Sequence, residues 1–308
     1  MISYYKTSDG LMQKQDFCEP GYWVSCIGPS EQEIKFLTEK FYLEPNFLKS
    51  ALDEDESSRV DVEDGIVLIV IDTPIAIKSE KNMTYYTIPI SIFLTKENVI
   101  TISLKNSEII NSFAAGRIKK ANTFDKTNFI LNIILHTAGK YLRYLNQIIK
   151  TSDRIERSLR KSMKNRKLIQ LLEIEKSLVY FSSSLKTTKV TLEKLFRAKF
   201  LNPDESDKDL MDDVLIEIKQ AIEMTETYLN IIAGTMEAFA SIISNNLNIV
   251  MKILASLTLI ISIPTVVSGI YGMNTLNLPM IEHWWFPLVL SAILMYVAFI
   301  ILKKKDMI

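Results

Sequence analysis

Cysteine and histidine are scarce in this 308-residue chain: Cys18, Cys26, His136 and His283 are the full set. With no paired spacing among them, a disulfide framework is excluded, and so is a structural or catalytic zinc centre. Glycine is sparse too, and Gly10, Gly21, Gly28 and Gly65 lie scattered rather than grouped into a phosphate-cradling loop, so ATP-driven pumping has no support. Net charge is absent: 36 basic residues balance 36 acidic ones, which removes the field that would draw a nucleic acid. The N-terminal stretch has no charged-then-apolar leader, so both cysteines are expected to be reduced in a cytoplasmic setting.

Charge is missing locally as well, and there its absence says most. Residues 253–271 and 284–302 contain no Asp, Glu, Lys, Arg or His. At about 1.5 Å of rise per residue each stretch nearly crosses a hydrocarbon layer of roughly 30 Å. The intervening residues 272–283 carry no Lys or Arg, whereas Lys252 precedes the first stretch and Lys303, Lys304 and Lys305 follow the second. Positive charge on the flanks predicts a multi-pass protein of the plasma (inner) membrane with both termini cytoplasmic. The expected organisation is a cytoplasmic α/β domain over 1–203, with long helices from about 124. A stalk helix over 204–252, a first span over 253–271, an external loop over 272–283, a second span over 284–302 and a basic tail over 303–308 complete it.

The N-terminal part predicts an α+β domain, a mixed sheet flanked by helices. Tyr22 to Ile27 is rich in strand formers and stops at Gly28-Pro29. Ser30 with Glu33 then forms a capping-box signature for a helix bearing Ile34, Leu37 and Phe41 on one face. Gly65 precedes an apolar strand, 66–71, which Pro74 is expected to end, and strands at 85–94 and 99–104 flank a turn at 96–98. From about Phe124 apolar residues recur at three and four, through Ile130, Ile134, Leu142 and Leu145 and again through Leu168, Leu171, Leu178 and Leu185, which predicts two long helices. After Pro203 nothing but Gly234 interrupts a helical pattern before Pro264, so one helix is expected from about 204 to 269, on the order of 100 Å long.

Steps of alternately three and four residues along that helix, from Asp213 to Gly272, pass through eighteen positions that are nearly all polar or small. Asn248, Met251, Thr258, Ser262, Thr265 and Gly269 are among them. A packed seam with this repeat would be apolar, and polar groups facing lipid are costly, so a hydrophilic seam suits a wet axis. Single Ser and Thr residues also bond back to their own helix or serve small-residue packing; the joint register is what favours a pore. One helix encloses nothing, so several copies must gather round an axis. With no charged residue in either span, transport would use neutral oxygens, which suits a strongly hydrated cation such as magnesium.

Met251-Lys252-Ile253-Leu254, Pro264-Thr265 and Gly269-Ile270-Tyr271-Gly272-Met273-Asn274 together resemble the CorA family of divalent-cation channels. Trp23-Val24 and Pro29-Ser30-x-x-Glu33 extend the likeness more loosely to the N-terminal part. The resemblance implies a funnel-shaped homopentamer embedded in the lipid bilayer, its pore lined by the stalk helix. Gly272, Met273 and Asn274 are then the outer mouth, and Asn248, Met251, Leu254, Thr258, Ser262 and Thr265 line the channel. Leu254 becomes the apolar constriction, while Ser262 departs from the methionine that some members carry. The family closes on cytoplasmic magnesium held between subunits. Asp213 matches the stalk carboxylate, but Leu48-Lys49-Ser50 stands where Leu-Glu-Asp is common, so the partner carboxylates fall to Asp53 and Asp55 in the displaced acidic run.

The expected function is a passive, magnesium-gated channel for hydrated divalent cations, with Mg2+ both cargo and regulatory ion, and not an enzyme. Uptake of zinc, cobalt or nickel, with or without proton coupling, stays open as an alternative, because the outer-mouth tripeptide is shared. A membrane-anchored sensor or scaffold that conducts nothing is the alternative from another class. Two smaller features have plain readings beside functional ones: Glu282 as a ring of outer-loop charge, and His283, Trp284 and Trp285 as a membrane-interface belt.

Overall fold

The computed structural model describes the chain except residues 9, 79–82, 120, 162–164, 199, 202, 274–277, 281 and 308 and the side chains of 78 and 206. It divides into two compact units, Met1–Ala233 and Gly234–Ile308.

The first unit is built on a seven-stranded mixed sheet. Its strands are β1 (Ile2–Ser8), β2 (Leu11–Gln15), β3 (Trp23–Ile27), β4 (Arg59–Glu63), β5 (Ile66–Lys78), β6 (Met83–Leu94) and β7 (Val99–Ser103), in the order β2-β1-β3-β7-β6-β5-β4. Only β3 and β7 run parallel; every other neighbour is antiparallel. Asp64 and Gly65, both at positive φ, make the two-residue turn between β4 and β5, where Glu63 pairs with Ile66. That is the turn an Asp-Gly pair favours, because its backbone twist matches the strands.

Pro74 does not end β5. It pairs with Thr87 of β6, and β4 flanks β5 only from Ile66 to Val70, so Pro74 lies where β5 has no second neighbour to receive an N–H. Pro89 of β6 likewise pairs with Asp72 outside the stretch that β7 flanks, which on β6 runs from Ser91 to Leu94. A proline costs little where the missing N–H would have faced no partner strand.

Alternation along the strands sends side chains to two helical layers. On one face α1 (Glu31–Phe41) and α2 (Pro45–Ala51) close over a core that joins Leu37, Phe47 and Leu48 to Val24, Leu68, Phe93 and Ile100. The expected capping box is present: Ser30 Oγ accepts from the Glu33 amide at 3.3 Å and Glu33 Oε2 accepts from the Ser30 amide at 2.9 Å. On the other face lie α3 (Glu108–Ala114), α4 (Lys126–Lys161) and α5 (Asn165–Arg197). Trp23, Phe113 and Phe129 are mutual ring neighbours there, and Tyr141 meets Phe181 edge-on at 5.0 Å between centroids. The indole N–H of Trp23 donates to Thr101 Oγ1 at 3.0 Å, so its one polar atom is satisfied at full burial.

One helix, α6 (Glu205–Tyr271), begins in the first unit and continues into the second, with Pro264 inside it. The second unit adds α7 (Phe286–Lys304). Each contains an 18-residue apolar window of which 11 % is buried, the reverse of a core helix. α6 is tied to the segments on either side of α7: Ser256 Oγ donates to the Met307 carbonyl at 3.1 Å, and Tyr271 Oη to the Pro279 carbonyl at 3.1 Å. The architecture is therefore a mixed sheet flanked by helices, plus a long helix that pairs with a second apolar one.

Candidate functional site

The covered face of α6 in the second unit is marked by Ser256 and Val267, both buried, with Ile260, Ile263, Pro264 and Tyr271 half-shielded between and beyond them. These recur at three and four, so they form one stripe, and the ties to Met307, Pro279 and the Phe286 ring identify α7 and its flanks as the cover. Thr258, Ser262 and Thr265 stand two residues after or before stripe members. At about 100° per residue they lie roughly 200° round the helix, on the opposite side. All three are exposed, as are Asn248, Met251 and Leu254 along the same line. So α7, apolar on all sides, leaves the hydroxyl-bearing face of α6 uncovered.

The hydroxyls on that face have local donors' work: Thr258 Oγ1 donates to the Leu254 carbonyl at 2.8 Å, and Ser262 Oγ to the Leu259 carbonyl at 2.9 Å. Bonding back to the helix uses the hydroxyl proton and leaves the oxygen lone pairs to accept. A row of such oxygens is an acceptor surface, suited to the water shell of a cation rather than to an anion. Beyond the C-terminus of α6, the Gly272 amide donates to the Ser268 carbonyl at 2.9 Å and Met273 N–H to Ile270 at 3.3 Å, and both residues are exposed. Asn274, expected at the outer mouth, lies outside the described residues.

The expected regulatory carboxylates sit in the first unit. Asp213 is exposed and lines a cavity of about 410 Å³ with His136, Arg143 and Glu217. Asp53 Oδ1 accepts from the Asp55 amide at 3.0 Å, and Asp55 lines a separate cavity of about 440 Å³ with Glu54, Glu56 and Asp72. Within one chain the structure does not bring Asp213 to the acidic run. Glu54 pairs with Lys105 at 2.6 Å and Glu56 with Arg59 at 2.8 Å, so part of that run's charge is already met. Asp72, set on β5 under α5, is the buried acid of this cavity; desolvation pushes its carboxyl up, against the opposing hydroxyls of Ser184 and Ser58.

Sequence reasoning passed over a third acidic group, Asp125, Asp204 and Asp207, whose ligand atoms lie within 4.8 Å of one another. Each has work in helix capping. Asp125 Oδ1 accepts from Asn128 N–H at 3.0 Å at the start of α4, and Asp204 and Asp207 accept from each other's amides at 2.9 and 3.2 Å at the start of α6. Burial holds the Asp207 carboxyl above its usual range. The signal was legible as two polar pairs spaced by three, each just before a long helix.

A family model described as "CorA-like Mg2+ transporter protein" matches residues 19–304. The chain belongs to that family. It is 25 % identical over 295 residues to the cobalt/magnesium transport protein CorA of Methanocaldococcus jannaschii, covering 92 % of this chain and 90 % of the relative. It is 24 % identical over 324 residues to the magnesium transport protein CorA of Campylobacter jejuni subsp. jejuni, covering 98 % of each. Among solved structures, the complete CorA magnesium transporter from M. jannaschii superposes with a TM-score of 0.81 at 23 % identity, covering 99 % of this chain and 96 % of that one. At that identity the superposition speaks for the fold.

Proposed function

We propose that this protein conducts hydrated divalent cations, magnesium first among them, across a membrane through a pore lined by α6. The observation that carries the reading is the uncovered acceptor face of α6, opposite the face that α7 shields. A second span that is apolar all round suits lipid, and an exposed row of hydroxyl oxygens inside a bilayer requires either water or neighbouring copies of the same helix. A ring of chains supplies both, with the polar face turned to a shared axis. Membership of a magnesium-transporter family and likeness to a cobalt/magnesium transport protein support divalent cations as cargo; the ring is taken to be a homopentamer.

In this reading Gly272, Met273 and Asn274 form the outer mouth, and Thr265, Ser262, Thr258, Leu254, Met251 and Asn248 follow inward, with Leu254 the apolar constriction. Entry is passive, driven by the membrane potential at about 2.3 kcal/mol per charge per 100 mV. The basic flanks of both spans and the Ser256–Met307 tie support cytoplasmic placement of both ends in the plasma (inner) membrane. Residues 1–203 then form the cytoplasmic domain and 204–252 the stalk. Magnesium held by Asp213 of one chain and the Asp53–Asp55 run of the next closes the channel, which accounts for the two lining separate cavities in one chain. Uptake by vesicles reconstituted with the purified protein, comparing Mg2+, Co2+, Ni2+ and Zn2+ with and without a proton gradient, is the test. Magnesium entry that follows the potential and ignores the proton gradient is expected; absence of flux for every cation would leave the anchored sensor as the function.

A further inference from the structure

The chain is neutral overall, yet residues 150–167 hold eight basic residues against two acidic ones, Asp153 and Glu156. This segment includes the end of α4 and the start of α5. There the two helices and the beginning of β6 enclose a groove of about 720 Å³. Lys150 and Arg154 line it from α4 and Lys167 from α5. On α4 the lining residues Gln147, Lys150, Thr151, Arg154 and Ser158 recur at three and four, so a single helix face presents cations, an amide and hydroxyls together. Tyr85, Ile155 and Ile174 supply an apolar wall, and Glu173 is the one carboxylate among the described lining residues.

Some exposed basic groups elsewhere in the molecule are met by an acid. Arg160 has Glu156 at 2.8 Å, Lys105 has Glu54 and Lys186 has Glu226. Among the described residues no carboxylate lies within ion-pair distance of Lys150, Arg154 or Lys167; Lys167 reaches only the amide oxygen of Gln170, at 3.0 Å. The Tyr85 hydroxyl donates to Gln147 Oε1 at 3.2 Å, which leaves the Gln147 NH2 to donate elsewhere. Three cations against one carboxylate among the described lining residues leave a net positive site, and the charge such a site complements is a compact multivalent anion. The volume falls in the range of small-ligand sites, larger than inorganic phosphate needs. The apolar wall calls for an organic group attached to the anion.

We propose that this groove binds a phosphate ester: Lys150, Arg154 and Lys167 take the phosphate oxygens, and Tyr85, Ile155 and Ile174 take the organic part. The same chemistry is offered by a soluble nucleotide and by the headgroup of an anionic phospholipid. The inference goes beyond the conduction reading and does not depend on it.

The test is calorimetric titration of the full-length protein in neutral detergent. ATP in the presence of EDTA is one probe and dihexanoyl phosphatidylglycerol the other, with dihexanoyl phosphatidylcholine as the neutral control. At least one of the two anionic probes is expected to bind, more weakly as salt rises. The double variant Lys150→Gln/Arg154→Gln should weaken that binding at least tenfold, and Lys150→Arg/Lys167→Arg should preserve it. Binding of ATP alone identifies a soluble source, and binding of phosphatidylglycerol alone a lipid source. The single variants Lys150→Gln and Arg154→Gln, checked by thermal unfolding, carry the test if the double variant is unstable. No binding of either anion above the neutral control, or equal binding by native and charge-neutralised protein, overturns the proposal.

Discussion

The Ser256 hydroxyl donates to the Met307 carbonyl, 3.1 Å away, and so joins the apolar part of α6 to the chain that leaves α7. Fifty-one residues of sequence separate the two. With Tyr271 bonded to Pro279 in the connecting segment, α6 and α7 form a hairpin whose connection lies opposite the Ser256–Met307 bond. This arrangement yields a topology that can be checked by labelling. In a Cys18→Ser/Cys26→Ala background, Met307→Cys should react with an impermeant maleimide only from the cytoplasmic side and Glu282→Cys only from the outside. Labelling of both from one side would refute the hairpin orientation.

The two hydroxyl-bearing faces of α6 should respond differently to loss of their oxygens. Thr258→Val combined with Ser262→Ala removes two acceptors from the uncovered face and should lower magnesium flux about tenfold or more with assembly intact. Ser256→Ala removes the buried tie instead. It should leave flux near normal and cost on the order of 1 kcal/mol in stability, the usual worth of such a bond. Radiotracer or dye-based uptake beside thermal unfolding separates the outcomes. Equal flux losses from both faces would count against a pore on one of them.

Asn274→Ala should abolish magnesium uptake in correctly assembled protein, because a methyl group cannot contact the ion's water as an amide oxygen does. Leu254→Ser should have the opposite sense, raising leak at high magnesium by wetting the proposed apolar constriction. Single-channel or vesicle currents decide both. Normal flux in the first variant, or unchanged closed-state current in the second, would move the mouth or the gate to other residues.

If Asp213 and the acidic run share an ion between chains, Asp213→Ala should need more cytoplasmic magnesium to close. Asp53→Ala/Asp55→Ala should shift the same curve, and the combination should fall short of the sum. Linkage requires the ion to favour the closed form, so the shift must be towards higher magnesium. Wild-type inhibition curves in all three variants would show these carboxylates to be ordinary surface charges.

Asp72 has its carboxyl pushed above the usual range, chiefly by burial, so the folded state favours the protonated form. Its contribution is therefore a destabilisation, absent below the ordinary carboxylate pKa near 3.8 and fully present once pH has risen through the elevated folded value. Asp72→Asn should unfold at higher temperature than the native protein at pH 7–8, and the gain should shrink as the pH falls towards 4. A gain that is constant with pH would mean that the carboxyl is not the cause.

Much of the first unit was legible because its signals are local. The Ser30–Glu33 box needs only neighbouring residues, and the three-four recurrence through Ile130, Ile134 and Leu145 or Leu171, Leu178 and Leu185 identified helices whose marked residues are buried. Strands β1, β2 and β4 gave no comparable signal: β1 is half-buried throughout and none of the three carries a continuous apolar run. Pro74 misled because a proline's cost depends on whether a second strand lies alongside, and sequence does not show where β4 stops. The polar seam of α6 was readable from its period. Which side α7 covers was not, since α7 is apolar in every direction and its own pattern selects no face. Asp125 stood apart from Asp204 and Asp207 by most of two helices, so only the fold could assemble that group.

The unbroken course of α6 from Glu205 to Tyr271 turns distance along the chain into rotation. One residue inserted between Gly234 and Asn248 would advance everything beyond it by about 100° about the helix axis, and two residues by about 200°. The second change alone would turn the hydroxyl face to nearly the opposite bearing, and α7, which follows the insertion, would turn with it. Seven extra residues would bring Thr258, Ser262 and Thr265 back to within roughly 20° of their starting bearing, while lengthening the helix by about 10 Å. Evolution can therefore lengthen or shorten this segment freely only in whole phases, so lengths in this stretch should vary among related chains in sevens or elevens rather than singly.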